Sequence, residues 1–235
     1  MASSWTWVEG LVDVVFPPSC AACGAIVEQR QALCERCSLQ VSPLPPGCER
    51  CAEPGEFPAR LCPRCSRLPP PFERAWAPFS HEGAVAHAIH LFKYEDRPEL
   101  AVPLARLLAE GAAPFASWAD AVSAIPLHQS RFRERKYDQA HLLASELARA
   151  TGLRSLPDAL LRVRATRRQV GLDEASRELN VAGAFLGSAS ARGRRLLLVD
   201  DVFTTGATAR AAARAAMEAG ALGVRILTLA RAHTP

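Results

Sequence analysis

The run Leu196-Leu197-Leu198-Val199-Asp200-Asp201-Val202-Phe203-Thr204-Thr205-Gly206-Ala207-Thr208 changes character twice within thirteen residues, and no other stretch restricts the fold as much. Four consecutive aliphatic side chains after Arg194 and Arg195 have the pattern of a strand covered on both faces, as in a parallel sheet. Two carboxylates follow at its carboxyl end. A turn containing hydroxyls and glycine comes next, then an alanine-rich helix that runs to about Ala219 and stops at Gly220. Strand, turn and helix in this order predict an α/β domain with a Rossmann-like parallel sheet and right-handed helical crossovers. Ligands of open α/β sheets bind outside the carboxyl ends of the strands, where the two acids stand.

The turn narrows the ligand. A glycine turn ahead of a helix aims backbone amides and a positive helix end at one spot, which suits a phosphate. No lysine follows the glycine and no G-x-x-x-x-G-K-[ST] is present, so this is not a P-loop for a nucleoside triphosphate. Vicinal hydroxyls donate hydrogen bonds to ionised carboxylates, so a ribose with a 5-phosphate satisfies acids and turn together. A strand-turn-helix with a polar turn is the plain alternative. Val199-Asp200-Asp201 with Thr204-Thr205-Gly206-Ala207-Thr208 resembles the signature by which type I phosphoribosyltransferases bind phosphoribosyl diphosphate, PRPP. That resemblance implies that Asp200 and Asp201, the catalytic pair, hold the ribose hydroxyls. It also implies that Thr204, Thr205, Gly206, Ala207 and Thr208 hold the 5-phosphate.

A different pattern fills the amino-terminal third. Cys20-x-x-Cys23, Cys34-x-x-Cys37, Cys48-x-x-Cys51 and Cys62-x-x-Cys65 are separated by ten residues each time. A C-x-x-C knuckle presents two thiolates to one ion, and two knuckles complete a tetrahedral four-cysteine site, so eight ligands predict two zinc ions. Such closed sites have no open position for water and act structurally, folding a segment too poor in apolar residues to fold alone. We group Cys20, Cys23, Cys34 and Cys37 in one site and Cys48, Cys51, Cys62 and Cys65 in the other; spacing leaves an interleaved pairing open. A four-disulfide scaffold is the competing framework, and the missing secretory signal argues against it.

Eight thiolates with two Zn²⁺ carry a net charge of minus four, which cancels the formal +4 of the chain. Net charge therefore selects no partner. From Asp120 to Pro235, however, eighteen Lys or Arg face eleven Asp or Glu, and a basic face of this kind suits PRPP or nucleic acid. Apolar positions near three- and four-residue spacing from Trp5 to Phe16 predict a short amphipathic helix before Pro17-Pro18. Glu9 and Asp13 interrupt it, so it is neither a membrane span nor a signal peptide. A soluble cytoplasmic protein is expected.

Residues 1–67 are thus read as the helix and a double zinc ribbon. Residues 68–73, with Pro69-Pro70-Pro71, form a stiff linker, and 74–235 make the main domain. Within it we expect a strand over Ala75 to Ser80, helices over His81 to Phe92 and Leu100 to Leu108, and a buried strand from Ala121 that stops at Pro126. A strand from Asp158 to Val163 and a last core strand from Val224 to Ala230 follow. His81, His87 and His90 lack ligand spacing and read as surface or packing residues. Leu127 and His128 open a charged loop with Arg131, Arg133, Arg135 and Lys136. A solvated loop explains such a run, but its place after a strand end favours binding a diphosphate.

The order of these pieces resembles the ComF family, associated with DNA uptake in competence, over Cys20 to Thr234. The double zinc ribbon, Phe92-Lys93-Tyr94, Ile125-Pro126-Leu127-His128, Arg135-Lys136-Tyr137-Asp138-Gln139-Ala140 and the Leu196–Thr208 signature follow the family's order. Lys136 departs from the usual Arg-Gly-Phe-Asn-Gln, where glycine makes a tight turn. Thr166, Gln169, Leu172, Arg177, Asn180 and Gly183-Ala184-Phe185 resemble its mobile loop. The implied site places diphosphate on Pro126, Leu127, His128, Arg131, Arg135 and Lys136. A lid with Arg167, Arg168, Gln169 and Arg177 closes over it. Mg²⁺ accompanies PRPP, and single-stranded DNA and competence proteins are the partners this family suggests.

Overall fold

The computed structural model describes residues 17–28, 31–165 and 180–232, without the side chains of 130, 131 and 134. The helix expected before Pro17 and the expected lid residues Arg167, Arg168, Gln169 and Arg177 lie outside the described residues. The strands are β1 (Arg74–Trp76), β2 (Phe79–Ser80), β3 (Ala121–Ala124), β4 (Arg154–Ser155), β5 (Leu160–Arg162), β6 (Phe185–Gly187), β7 (Arg195–Phe203) and β8 (Gly223–Arg231). Six of them form one sheet in the order β1-β8-β7-β3-β4, with β2 also on β8. Every pairing in it is parallel.

The long central strand explains itself from its side chains. Leu197 and Val199 of β7 pack with Val122, Ala124, Leu227 and Leu229 beneath the helices Gly83–Tyr94, Ala101–Ala109 and Gln139–Thr151. Leu196 and Leu198 turn to the other face, against Ala212, Ala213 and Ala216 of the helix Ala207–Glu218. A strand with apolar side chains on both faces needs helices on both, which is why the run is continuous rather than alternating. Alanine on that last helix lets it sit close to the sheet. The antiparallel pair β5–β6 lies on it, and a Cβ at Gly187 would stand 2.4 Å from the Ala215 carbonyl oxygen.

Three local expectations are corrected. The Ala75–Ser80 segment is two short strands, because Pro78 offers no ladder N–H between them. The strand expected from Asp158 to Val163 shortens to β5 and pairs with β6 outside the main sheet. The charged loop after His128 is a helix, Gln129–Arg135. Glutamine, arginine and glutamate have high helix propensity, and no Gly or Pro interrupts them.

The two cysteine groups pack into opposite layers of the main core. Cys20, Ala21, Leu33 and Cys37 join the cluster of the Gly83–Tyr94 helix, whereas Cys48, Cys51, Cys62 and Cys65 join Phe72, Ile125 and Phe203 on the other side. Pro43 bridges to Phe79, and Ala75 donates its N–H to the Arg50 carbonyl.

Candidate functional site

The cysteines gather as expected into two sequential groups, Cys20, Cys23, Cys34, Cys37 and Cys48, Cys51, Cys62, Cys65, with all ligand atoms of each within 4.8 Å of one another. Sγ–Sγ distances of 3.7 Å join Cys23 to Cys34 and Cys51 to Cys62. Four thiolates at Zn–S distances near 2.3 Å on a tetrahedron stand about 3.8 Å apart, so the groups fit zinc, and the separation excludes disulfides. Local backbone geometry favours the thiolate at one cysteine of each group, whereas burial and the neighbouring thiols hold Cys37 and Cys62 up, and the Cys65 thiol with burial holds Cys51 up. Desolvation would raise the Cys20 thiol, but N–H groups of Cys23, Cys34 and Ala22 bring it down to about 6. Against the same desolvation, those of Cys62, Cys51 and Arg50 bring Cys48 down to about 7. These are the knuckle hydrogen bonds that a structural zinc site uses.

A cleft of about 920 Å³ opens at the carboxyl end of the sheet. Asp200, Asp201, Thr204, Gly206 and Thr208 form one wall, and Leu127, Arg135 and Lys136 another. Gly206 takes φ 78°, and a Cβ there would stand 2.5 Å from the Phe203 ring, so the turn requires glycine. Among the described residues, the N–H groups of Thr204, Thr205 and Gly206 have no acceptor, leaving them available to an anion. Facing the turn, Asp138 caps the helix Gln139–Thr151 by accepting from His141 N–H and with its other oxygen takes the Leu127 N–H at 2.7 Å. One carboxylate thereby fixes both the β3 loop and the helix beside it.

The acids are not equivalent. Asp201 is 8% exposed and pairs with Lys93 Nζ at 2.7 Å. Asp200 is half-buried and accepts the Asp201 N–H. Its carboxyl is pushed up to about 7, first by desolvation and then by the neighbouring Asp201 charge, against the pull of Lys93. It therefore titrates near neutrality, in the range of groups placed for function. His81 also lines the cleft, and desolvation together with Lys93 holds it below its ordinary range.

The structure brings eight expected residues to the cleft: Asp200, Asp201, Thr204, Gly206, Thr208, Leu127, Arg135 and Lys136. Thr205 and Ala207 are buried behind the turn at 7% and 2% exposure, and the carbonyls of Pro126 and His128 accept from Arg162 and Phe132 N–H. The Arg131 side chain is outside the description. Lys93, His81, Tyr94, Asp96 and Arg162 also line the cleft and were not named as site residues. Composition held a signal for one of them: the chain has only two lysines, Lys93 and Lys136, and both are here. Tyr137 adds support by donating to the Phe92 carbonyl at 2.6 Å, which anchors the helix end that carries Lys93.

Two non-glycine residues on the rim, Asp96 (φ 54°) and Lys136 (φ 64°), adopt left-handed backbone and form an ion pair. Lys136 ends the Gln129–Arg135 helix, so the tight turn of the family pattern is kept without its glycine, at the cost of Cβ strain. Lys136→Gly is expected to stabilise the fold by about 0.5–1 kcal/mol, since the exposed ion pair it removes contributes little. Denaturant unfolding checks this; a destabilised variant would show the turn to be unstrained.

A parallel sheet that carries two acids and a Thr-Thr-Gly-Ala-Thr turn near the end of its central strand, with two four-cysteine groups docked on it, defines a double zinc ribbon protein with a parallel α/β domain. Residues 11–72 match the double zinc ribbon domain family. Over 217 residues the chain is 30% identical to the DNA utilization protein YhgH of Salmonella typhimurium, spanning 90% of this chain and 89% of that one. It is 37% identical over 108 residues to competence protein ComFC of Bacillus subtilis, spanning 46% and 42%. The chain belongs to the ComF family. Among solved structures, glutamine PRPP amidotransferase from B. subtilis aligns with a TM-score of 0.38 at 24% identity, over 62% of this chain and 28% of that one. Among the described residues, no helix is long and apolar enough to cross a membrane.

Proposed function

We propose that the cleft binds PRPP and supports phosphoribosyl transfer to a nitrogen nucleophile. The observation that carries this is the convergence of Asp200 and Asp201 with an unsatisfied amide turn and the cations Lys93, Arg135 and Lys136 around one cavity of about 920 Å³, within the usual size range of small-molecule sites. Asp200 and Asp201 accept from the ribose hydroxyls, and the Thr204–Thr208 turn takes the 5-phosphate. Leu127, Arg135 and Lys136 receive the diphosphate. Lys93 yields Asp201 to the sugar, so the ion pair between them opens on binding. Transfer then breaks the C1–diphosphate bond through an oxocarbenium-like state, and these groups act by positioning and electrostatics. Among the described residues only the cysteines gather three or more metal-ligating side chains, so Mg²⁺ is assigned to the diphosphate, whose departing charge it would neutralise.

The test is calorimetric titration with PRPP and Mg²⁺, in which one saturable site is expected and ribose 5-phosphate should compete. An absence of heat at millimolar PRPP would sink the reading. A second reading, handling of single-stranded DNA by the same fold, is favoured by the names of the relatives, a DNA utilization protein and competence proteins. Phosphate-dominated binding would weaken steeply as salt rises.

A further inference from the structure

Across the Phe203–Thr205 turn from the cleft lies a smaller cavity of about 400 Å³, between that turn and the second cysteine group. Arg64 and Arg67 reach it from the helix Pro63–Arg67, Arg210 from the helix Ala207–Glu218, and Arg231 from the end of β8. Glu53 is the one carboxylate among its described lining residues. Zinc bound by four thiolates adds two negative charges beside it, so four guanidiniums still leave a net positive site.

Donors here also outnumber acceptors. Arg210 and Arg231 are 7% and 3% exposed, and the buried Nε–H of each has no partner among the described residues. Their other nitrogens serve the protein: Arg210 donates to the Leu68 carbonyl, and Arg231 to the Cys51 carbonyl and to Glu53. Arg64 donates to the Thr205 carbonyl at 2.6 Å. A half-open, positive, donor-rich cavity of this size, with Arg210 and Arg231 buried in its wall, suits an oxyanion, and planar guanidinium forks match phosphate oxygens.

We propose that this cavity is a second phosphate-binding site, formed jointly by the second zinc ribbon and the far side of the turn. The group it takes is a phosphate, either free or in a nucleic-acid backbone. The site does not depend on PRPP occupying the main cleft, because Arg67, Arg210 and Arg231 do not line that cleft.

The test follows the assigned Nε–H resonances of Arg210 and Arg231 in the zinc-loaded protein as inorganic phosphate is added, against sodium chloride at equal ionic strength. Saturable shifts with phosphate alone are expected. Arg67→Ala, an exposed position that leaves the fold intact, should weaken the phosphate response about tenfold. A parallel arm uses short oligodeoxythymidylate. Saturation at much lower phosphate equivalents than inorganic phosphate, lost in Arg67→Ala, assigns the site to a nucleic-acid backbone; response to inorganic phosphate alone assigns it to a free anion. Equal shifts with chloride, equal affinity in Arg67→Ala, or still resonances in both arms would overturn the proposal.

Discussion

Removing zinc from the second cysteine group should lower PRPP binding more directly than removing it from the first, although both losses destabilise the protein. The second group touches the Phe203–Thr205 turn directly: Arg64, on the helix that begins after Cys62, holds the Thr205 carbonyl, and Arg231 holds the Cys51 carbonyl while lying over the Phe203 ring. The segment after the first group meets the main domain elsewhere, at the Gly83–Tyr94 helix, where Ala84 donates its N–H to the Gln40 carbonyl, and at β2, where Ser80 donates to the Ser42 carbonyl. Structural zinc binding is worth on the order of 10 kcal/mol in small domains, comparable with the whole stability of an ordinary one. Metal analysis should give two zinc per chain in the wild type and one in either Cys20→Ser/Cys23→Ser or Cys48→Ser/Cys51→Ser. A large fall in melting temperature is expected for both. At a temperature where both remain folded, PRPP affinity should fall at least tenfold in the Cys48 variant and clearly less in the Cys20 variant. Equal losses would show that the second ribbon does not shape the turn.

Asp200→Asn/Asp201→Asn should separate stability from binding. Charge-assisted hydrogen bonds to two carboxylates are lost, while asparagine oxygens still accept, so PRPP affinity should drop by about 2–4 kcal/mol, roughly 30- to 1,000-fold. The melting-temperature rise that PRPP with Mg²⁺ gives the wild type should nearly vanish in the variant. Equal rises in both proteins would remove the ligand assignment. Stability should move the other way in the single variant Asp200→Asn. The Asp200 carboxyl titrates near 7 in the fold, above its ordinary value of 3.8. A raised acid pKa means stability that is fully present below about pH 4 and lost as pH rises through about 7, because ionising the enclosed acid is unfavourable. Asp200→Asn should therefore be more stable than wild type at pH 8, with the advantage shrinking to nothing near pH 4. PRPP affinity of the wild type should rise between pH 6 and 8 as Asp200 ionises. A stability difference independent of pH would contradict the raised titration.

Much of this was legible in order along the chain. Four aliphatic residues ending in two acids fixed a buried parallel strand with a polar cleft at its end, because a strand covered on both faces has no polar positions until it leaves the core. Ten-residue intervals between C-x-x-C knuckles fixed eight ligands for two ions, since each knuckle is a local backbone motif. These features depend on neighbours in sequence. What sequence reading missed depends on neighbours in space. Lys93 stands near the end of one helix and Asp201 near the end of one strand, more than a hundred residues apart, and only the tertiary fold brings them to 2.7 Å. The basic stretch after His128 carried no sign that its Lys136 would take a left-handed turn and pair with Asp96. Sequence alone determined the buried strand, the four C-x-x-C knuckles and the acid–turn motif, because each is set by short-range periodicity and spacing. Tertiary structure alone decided the zinc pairing, the neutralisation of Asp201, the unequal acids and the arginines beneath the turn, because charge and burial depend on which distant segments the core packs together.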